Sequence, residues 1–241
     1  MSSSFRAAPK AILFPSRTSG YCTVGMQGHI QFDLLETLLL EAGRGYFLLD
    51  LHLERLGRSA DHFDFPLDLE AIRESLCRTA PAASGDCKVR LLVSRSGEVR
   101  TEIRPLVGTG DHTVWRVAIS DRPVDACDPF LYHKTTNRRV YEEALARRPE
   151  AQDVLLWNEA GEMTETCNAN VVVERGGRLI TPPVSCGLLP GTFRAHLLEQ
   201  GSIDEGVVTL DEAREAGSIR LINSVRKWIE CRLLEPWPAT P

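Results

Sequence analysis

The 241-residue chain predicts a two-domain α/β protein. Its length accommodates two hydrophobic cores of ordinary size. Apolar spacing alternates between the helical period and the strand period of two. The pattern resets over residues 105–112, around Gly108-Thr109-Gly110-Asp111, which reads as an interdomain linker. We expect a small N-terminal domain over residues 1–106 and a larger one over residues 107–241.

Residues 1–30 mix Pro, Ser, Gly and Thr without a clean period, with at most a short strand at Ala11–Phe14. Apolar runs at Leu34–Glu41 and Tyr46–Leu49 flank Ala42-Gly43-Arg44-Gly45, which suits a hairpin turn. Asp50 follows as a candidate N-cap. Apolar residues 51, 53, 56, 60 and 63 then recur at helical spacing, and Pro66 closes that helix soon after Phe65. A second helix is expected over Leu69–Arg78, followed by the small-residue loop Ala80–Gly85. Lys88–Ser94 and Val99–Arg104 alternate apolar with polar positions about Arg95-Ser96-Gly97-Glu98, a second hairpin.

In the second half, Thr113–Ile119 reads as a strand and a Pro- and Asp-rich loop runs through Pro129. Tyr141–Arg147 is helix-like, Val154–Trp157 and Val171–Val173 are strands, Thr192–Glu199 is a helix after Leu189-Pro190-Gly191, and Ile219–Ile222 is a buried strand. Val225–Leu234 has no decisive period.

Apolar residues make up 43% and charged residues 25%, an ordinary globular balance, and the net charge of −5 argues against nucleic acid as a partner. No stretch approaches the roughly 20 apolar residues of a membrane span, and Met1–Lys10 lacks the apolar run of a signal peptide, so we expect no membrane partner and a cytoplasmic location. The seven cysteines are odd in number, scattered and without a CxxC pair, which fits free thiols in a reducing compartment. The six histidines form no HxxH or HxxxH pair, so no metal site is expected. The Gly108-x-Gly110 pair has neither the third glycine nor the βαβ setting of a dinucleotide fingerprint.

The chemistry gathers around His133-Lys134-Thr135-Thr136-Asn137-Arg138. A lysine kept deprotonated by its pocket is a nucleophile toward a carbonyl cofactor, and pyridoxal 5′-phosphate further needs an anion at its ring nitrogen and donors for its phosphate. Glu165 is the candidate anion. Pro190-Gly191-Thr192-Phe193 opens a helix whose free amides suit a phosphate. Ser224 and Arg55 could add a hydroxyl and a charge-assisted donor. Taken singly these have plain readings: a solvated helix-face arginine, a loop glutamate, an ordinary Pro-Gly turn.

Taken in order, the segments resemble the fold-type IV pyridoxal phosphate enzymes, which include branched-chain and D-amino-acid aminotransferases and aminodeoxychorismate lyases. His52-Leu53-Glu54-Arg55-Leu56 is similar to the family's His-x-x-Arg-Leu. Lys134-Thr135-Thr136-Asn137-Arg138 is similar to Lys-x-x-Asn-Arg, and Thr164-Glu165 with Asn170 to Thr-Glu-x-x-x-x-Asn. Thr181-Pro182 and Leu189-Pro190-Gly191-Thr192-Phe193-Arg194 look like the family's Thr-Pro and Leu-Pro-Gly-x-x-Arg elements. The resemblance spans residues 33–226 and implies the two-domain D-amino-acid-aminotransferase-like fold with the cofactor in the interdomain cleft. It implies that Lys134 bonds the cofactor and moves the proton, and that Glu165 pairs with the ring nitrogen. Arg55, the amides of Thr192 and Phe193, and Ser224 would hold the phosphate, while Asn170 would brace the pocket.

Phe32-Asp33-Leu34-Leu35-Glu36-Thr37 and the Lys-Thr-Thr-Asn-Arg segment look most like the lyases. The implied reaction converts 4-amino-4-deoxychorismate to 4-aminobenzoate and pyruvate, with a small-molecule substrate, a homodimer and a separate chorismate-aminating enzyme as supplier. The alternatives are a branched-chain or D-amino-acid aminotransferase and a catalytically silent binding relative. Gln31-Phe32-Asp33 departs from the Gly-Asp-Gly that often precedes the first strand. The Arg95–Glu98 loop is also shorter than in a stand-alone lyase, so Arg95, His133 and Arg138 are the candidate carboxylate anchors.

Overall fold

The computed structural model describes residues 30–80, 85–106, 114–216 and 218–234. The expected strand at Ala11–Phe14 and the Gly108–Asp111 segment lie outside the described residues. The first domain is a four-stranded antiparallel sheet in the order β2-β1-β3-β4, comprising β1 Leu34–Glu41, β2 Gly45–Tyr46, β3 Cys87–Val93 and β4 Val99–Pro105. Helices α1 Leu49–Phe63 and α2 Leu69–Thr79 cover one face. Strand alternation decides which face. Leu34, Leu38 and Leu40 of β1 and Val89, Leu91 and Val93 of β3 pack against Leu53, Leu56, Ile72 and Leu76. Burying each such side chain contributes about 1.5–3 kcal/mol, which holds an 11-residue helix such as α2 that would be marginal alone.

Two local expectations are corrected. The second arm of the first hairpin pairs only at Gly45 and Tyr46, because Leu48 turns left-handed (φ 55°) and starts α1 at Leu49. Asp50 is therefore not the N-cap. It lies in the first helical turn, where a carboxylate favours the helix dipole, and pairs at 3.2 Å with exposed Arg73.

The second domain carries an eight-stranded sheet, β10-β9-β8-β11-β12-β5-β6-β7, that closes on itself where β7 pairs with β8. Its strands are β5 Trp115–Ile119, β6 Asp153–Trp157, β7 Met163–Thr166, β8 Asn170–Arg175, β9 Arg178–Thr181, β10 Asp204–Glu205, β11 Ile219–Asn223 and β12 Lys227–Leu233. Alternation again sorts the side chains. Leu155 and Trp157 of β6 join Val117, Ile119, Val171 and Leu221 in one core, while Val154 and Leu156 pack on Tyr141 and Ala144 of α3, Arg139–Arg147. Helix α4, Thr192–Glu199, lays Phe193 and Leu197 on Val172 and Ile222.

Sequence reading missed strands β9 and β10 and three further elements. Helix α5, Leu210–Glu215, is introduced by a capping box, Thr209 with Glu212, whose Ser/Thr-x-x-Glu signature was there to be read. Glu165 lies on strand β7 and not on a loop. Residues 227–233 form β12, where Ile229, Cys231 and Leu233 turn inward and exposed Trp228 disguises the alternation.

Candidate active site

Lys134 stands in the crossover between the parallel neighbours β5 and β6, ahead of α3. The N-terminal domain fixes that segment through its backbone. Leu35 N donates to the Lys134 carbonyl at 3.0 Å, Thr136 N to the Asp33 carbonyl at 2.9 Å, and Asp33 N to Thr136 Oγ1 at 2.9 Å. The lysine thus sits at the junction of the domains, on a cavity of about 300 Å³ that it shares with Glu165, Arg55, Thr192, Phe193 and Ser224. Burial, and then the guanidiniums of Arg55 and Arg138, bring its amine down to about 7. The amine is therefore far more readily neutral and nucleophilic near neutrality than an ordinary lysine. The rate at which the apo-protein bonds a carbonyl compound at Lys134 is expected to rise with pH through about 7 and level off about one unit above it. An ordinary lysine, with a value near 10.4, would keep accelerating, so a stopped-flow pH series separates the two.

Glu165, 4% exposed, is the counterpart. Tyr141 Oη donates to its Oε1 at 2.8 Å, Leu189 N to the same oxygen at 3.1 Å, and Asn170 Nδ2 to Oε2 at 3.3 Å. Among the described residues no cation forms an ion pair with it. Burial outweighs these bonds and lifts the carboxyl to about 7. A buried carboxylate that receives three hydrogen bonds and lacks a cation is ready for a positively charged ring nitrogen.

Gly191 caps α4 without a side-chain bond, and the first amides of the helix, at Thr192 and Phe193, have no acceptor within the helix and belong to residues that line the cavity. The missing side chain matters, because a Cβ at Gly191 would lie 2.0 Å from Asn170 Oδ1. Asn170 cannot yield cheaply, since its Nδ2 also donates to the Leu189 carbonyl at 2.9 Å. Gly191→Ala is expected to destabilise the fold by about 1–3 kcal/mol and to weaken phosphate-ligand binding about tenfold by dislodging Asn170 from Glu165. Denaturant titration and equilibrium binding check these outcomes.

Arg55 is buried, not a solvated helix charge, and it is already occupied. Its Nε and Nη2 grip Glu36 Oε1 and Oε2 at 2.8 and 2.7 Å, and Nη1 donates to the Pro190 carbonyl at 3.2 Å. Glu36 also accepts from His52 Nδ1 at 2.7 Å, and His52 Nε2 meets Thr192 Oγ1 at 3.2 Å. Burial holds the His52 imidazole below its ordinary value, so the neutral ring donates from Nδ1 and accepts the Thr192 hydroxyl at Nε2. Burial would raise Glu36, but Arg55 and His52 hold it well below the carboxylate range. The chain Arg55–Glu36–His52–Thr192 ties α1 to the start of α4 across the domain junction. Ser224 Oγ adds a bond to the Thr37 carbonyl at 3.4 Å.

The three candidate anchors are not brought together. Arg138 lines the cavity, lies 4.7 Å over the Tyr141 ring and donates to the Cys167 carbonyl. His133 is packed away from the cavity, with Nδ1 at 3.1 Å from Ser59 Oγ and its ring stacked on His62; burial, then His62 and Arg58, push it down to about 4. Arg95 donates to the Phe63 carbonyl and covers Phe65, beside a different hollow.

Sequence reading missed Glu36, His52 and Tyr141. Glu36 was legible: it shares the inward parity of Leu34 and Leu38, and a carboxylate there demands a buried cation, which Arg55 supplies while His52, three residues earlier on α1, adds a hydrogen-bond donor. Among the described residues no group of His, Cys, Asp or Glu gathers as a metal site, and no helix is long and apolar enough to cross a membrane.

The cleft defined by these residues is that of a class of enzymes, and the chain belongs to it: the model of the amino-transferase class IV family matches residues 33–234. Among individual proteins, the chain is 35% identical over 203 residues to a candidate aminodeoxychorismate lyase from Schizosaccharomyces pombe, covering 81% of this chain and 87% of that one. A solved candidate amino-acid aminotransferase from Mesorhizobium loti superposes with a TM-score of 0.80 at 32% identity, covering 84% of this chain and all of that one. A Mycobacterium tuberculosis aminotransferase described as hypothetical, solved with α-ketoglutarate and PMP bound, gives a TM-score of 0.73 at 25% identity, covering 87% and 84%.

Proposed function

We propose that this chain is a pyridoxal phosphate-dependent lyase that converts 4-amino-4-deoxychorismate to 4-aminobenzoate and pyruvate. The observation that carries the proposal is the pair in one cleft: a lysine whose amine is brought down to about 7, and a buried, hydrogen-bonded carboxylate that forms no ion pair among the described residues. The likeness to the S. pombe protein supports the choice of substrate.

The residues fit the cofactor. Lys134 Nζ would bond its carbonyl carbon, and Glu165, braced by Tyr141 and Asn170, would keep the ring nitrogen protonated. The amides of Thr192 and Phe193, the Ser224 hydroxyl and the remaining N–H groups of Arg55 would hold the phosphate. When bound, the cofactor supplies an electron sink for charge developing at the substrate's amine-bearing carbon. Lys134 Nζ would remove the proton from that carbon. Loss of that proton and of the carbon–oxygen bond to the enolpyruvyl group aromatises the ring, and the enolpyruvate that departs takes up a proton at its methylene carbon to become pyruvate. No second substrate is consumed. The setting this reading implies is a cytoplasmic homodimer supplied by a separate chorismate-aminating enzyme.

The M. loti likeness favours a second reading, amine exchange between an amino acid and a keto acid. A branched-chain substrate fits poorly, because the space beyond Lys134 is lined by Lys88, Arg90, Arg104 and Arg138 with Leu35 as the one aliphatic residue. The test is incubation of the loaded protein with 4-amino-4-deoxychorismate and no keto acid. Equal amounts of 4-aminobenzoate and pyruvate are expected; neither product, alongside amine exchange between an amino acid and a keto acid, overturns the lyase reading.

A further inference from the structure

The four-stranded sheet has two faces of opposite character. One packs leucines and valines on α1 and α2; the alternate positions, Thr37, Lys88, Arg90, Glu102 and Arg104, face the cleft. The register sets Lys88 directly opposite Arg104 and Arg90 opposite Glu102. Arg90 and Glu102 pair at 3.1 Å. Lys88 and Arg104 have no hydrogen-bonded or carboxylate partner among the described residues. They line a second cavity of about 280 Å³, which shares Thr37, Lys88, Lys134, Arg138 and Asn168 with the first, so the two form one cleft. Glu102 is the one carboxylate of the second cavity, in a chain whose net charge is −5. Partial burial, and then Arg90, Arg226, Arg104 and Arg138, hold the Lys88 amine below its ordinary value. Like charges crowded at a cleft wall cost free energy that an anion there would recover.

We propose that Lys88 and Arg104 form an anion subsite that holds the second carboxylate of a dicarboxylate substrate while its amine-bearing carbon lies at Lys134. The inference rests on the lyase reading for its substrate, which has one carboxylate on the ring and another on the enolpyruvyl group. A branched-chain amino acid has one carboxylate, and its apolar side chain would lie against these cations.

The test uses loaded wild-type protein, Lys88→Met, Arg104→Met, the double variant and Lys88→Arg, with isophthalate and benzoate as dicarboxylate and monocarboxylate probes in titration calorimetry. Wild type is expected to bind isophthalate about tenfold more tightly than benzoate, as one added charge-assisted contact gives. The double variant should lose that preference, and Lys88→Arg should keep it. With 4-amino-4-deoxychorismate the double variant should raise KM about tenfold or more and leave kcat within about threefold. Equal binding of the two probes by wild type, or an undiminished preference in the double variant, overturns the subsite. A wild type that makes no 4-aminobenzoate yet selects isophthalate through these two residues sinks the lyase reading and supports the subsite. Both positions are exposed, and an unchanged melting temperature checks that the variants are folded.

Discussion

Replacing Lys134 with alanine is expected to lower the rate of 4-aminobenzoate formation roughly 10⁴-fold, the upper range for a positioned proton-transfer group. The loss has two sources, the covalent hold on the cofactor and the base at the amine-bearing carbon. Lys134→Arg should do no better, because a guanidinium keeps its proton at every working pH. The fold should survive, since the segment is anchored through the Lys134 carbonyl and Thr136, not through the amine. The checks are single-turnover kinetics and a melting curve on the same sample. A rate within tenfold of wild type would remove Lys134 from the chemistry.

Glu36→Ala is expected to have the largest effect on stability. The change strands Arg55, at 4% exposure, and deprives His52 of the acceptor for its Nδ1 hydrogen. Breaking one side of a buried pair costs about 3–5 kcal/mol, or roughly 6–20 °C in melting temperature for a chain of this size. Thr192 loses its fixed neighbour as His52 shifts, so binding of a phosphate-bearing ligand at α4 should weaken as well. Replacing both partners, as Glu36→Leu with Arg55→Met, should recover part of the stability and none of the binding. Thermal unfolding and ligand titration of the single and double variants separate the two contributions.

Much of the frame was legible because its signals are local. The parity of Leu34, Leu38, Val89 and Leu91 marks one sheet face, and Leu53, Leu56 and Ala60 mark the stripe of α1. The ordered motifs pointed to Lys134, Glu165 and the α4 turn, and the structure gathers these on one cavity. What stayed hidden depends on pairing between distant segments. Arg55 looked like a free charge because Glu36 lies 19 residues away on another element. Tyr141 is one aromatic on a helix until β7 brings Glu165 within 2.8 Å. Lys88 and Arg104 were visible as the polar half of an alternating hairpin, but what that half faces is set by the docking of the second domain. The short turn at Arg95 drew attention as a substrate anchor, yet its guanidinium is taken up by Phe63 and Phe65.

The placement of the covalent bond on Lys134 is most directly measured by borohydride reduction of the loaded protein, followed by proteolysis and mass mapping. The chain has four lysines, at positions 10, 88, 134 and 227. The account predicts one cofactor mass per chain, on the peptide carrying Lys134. The same mass on Lys88, which lines the same cleft, or no stable mass on any lysine, would contradict it.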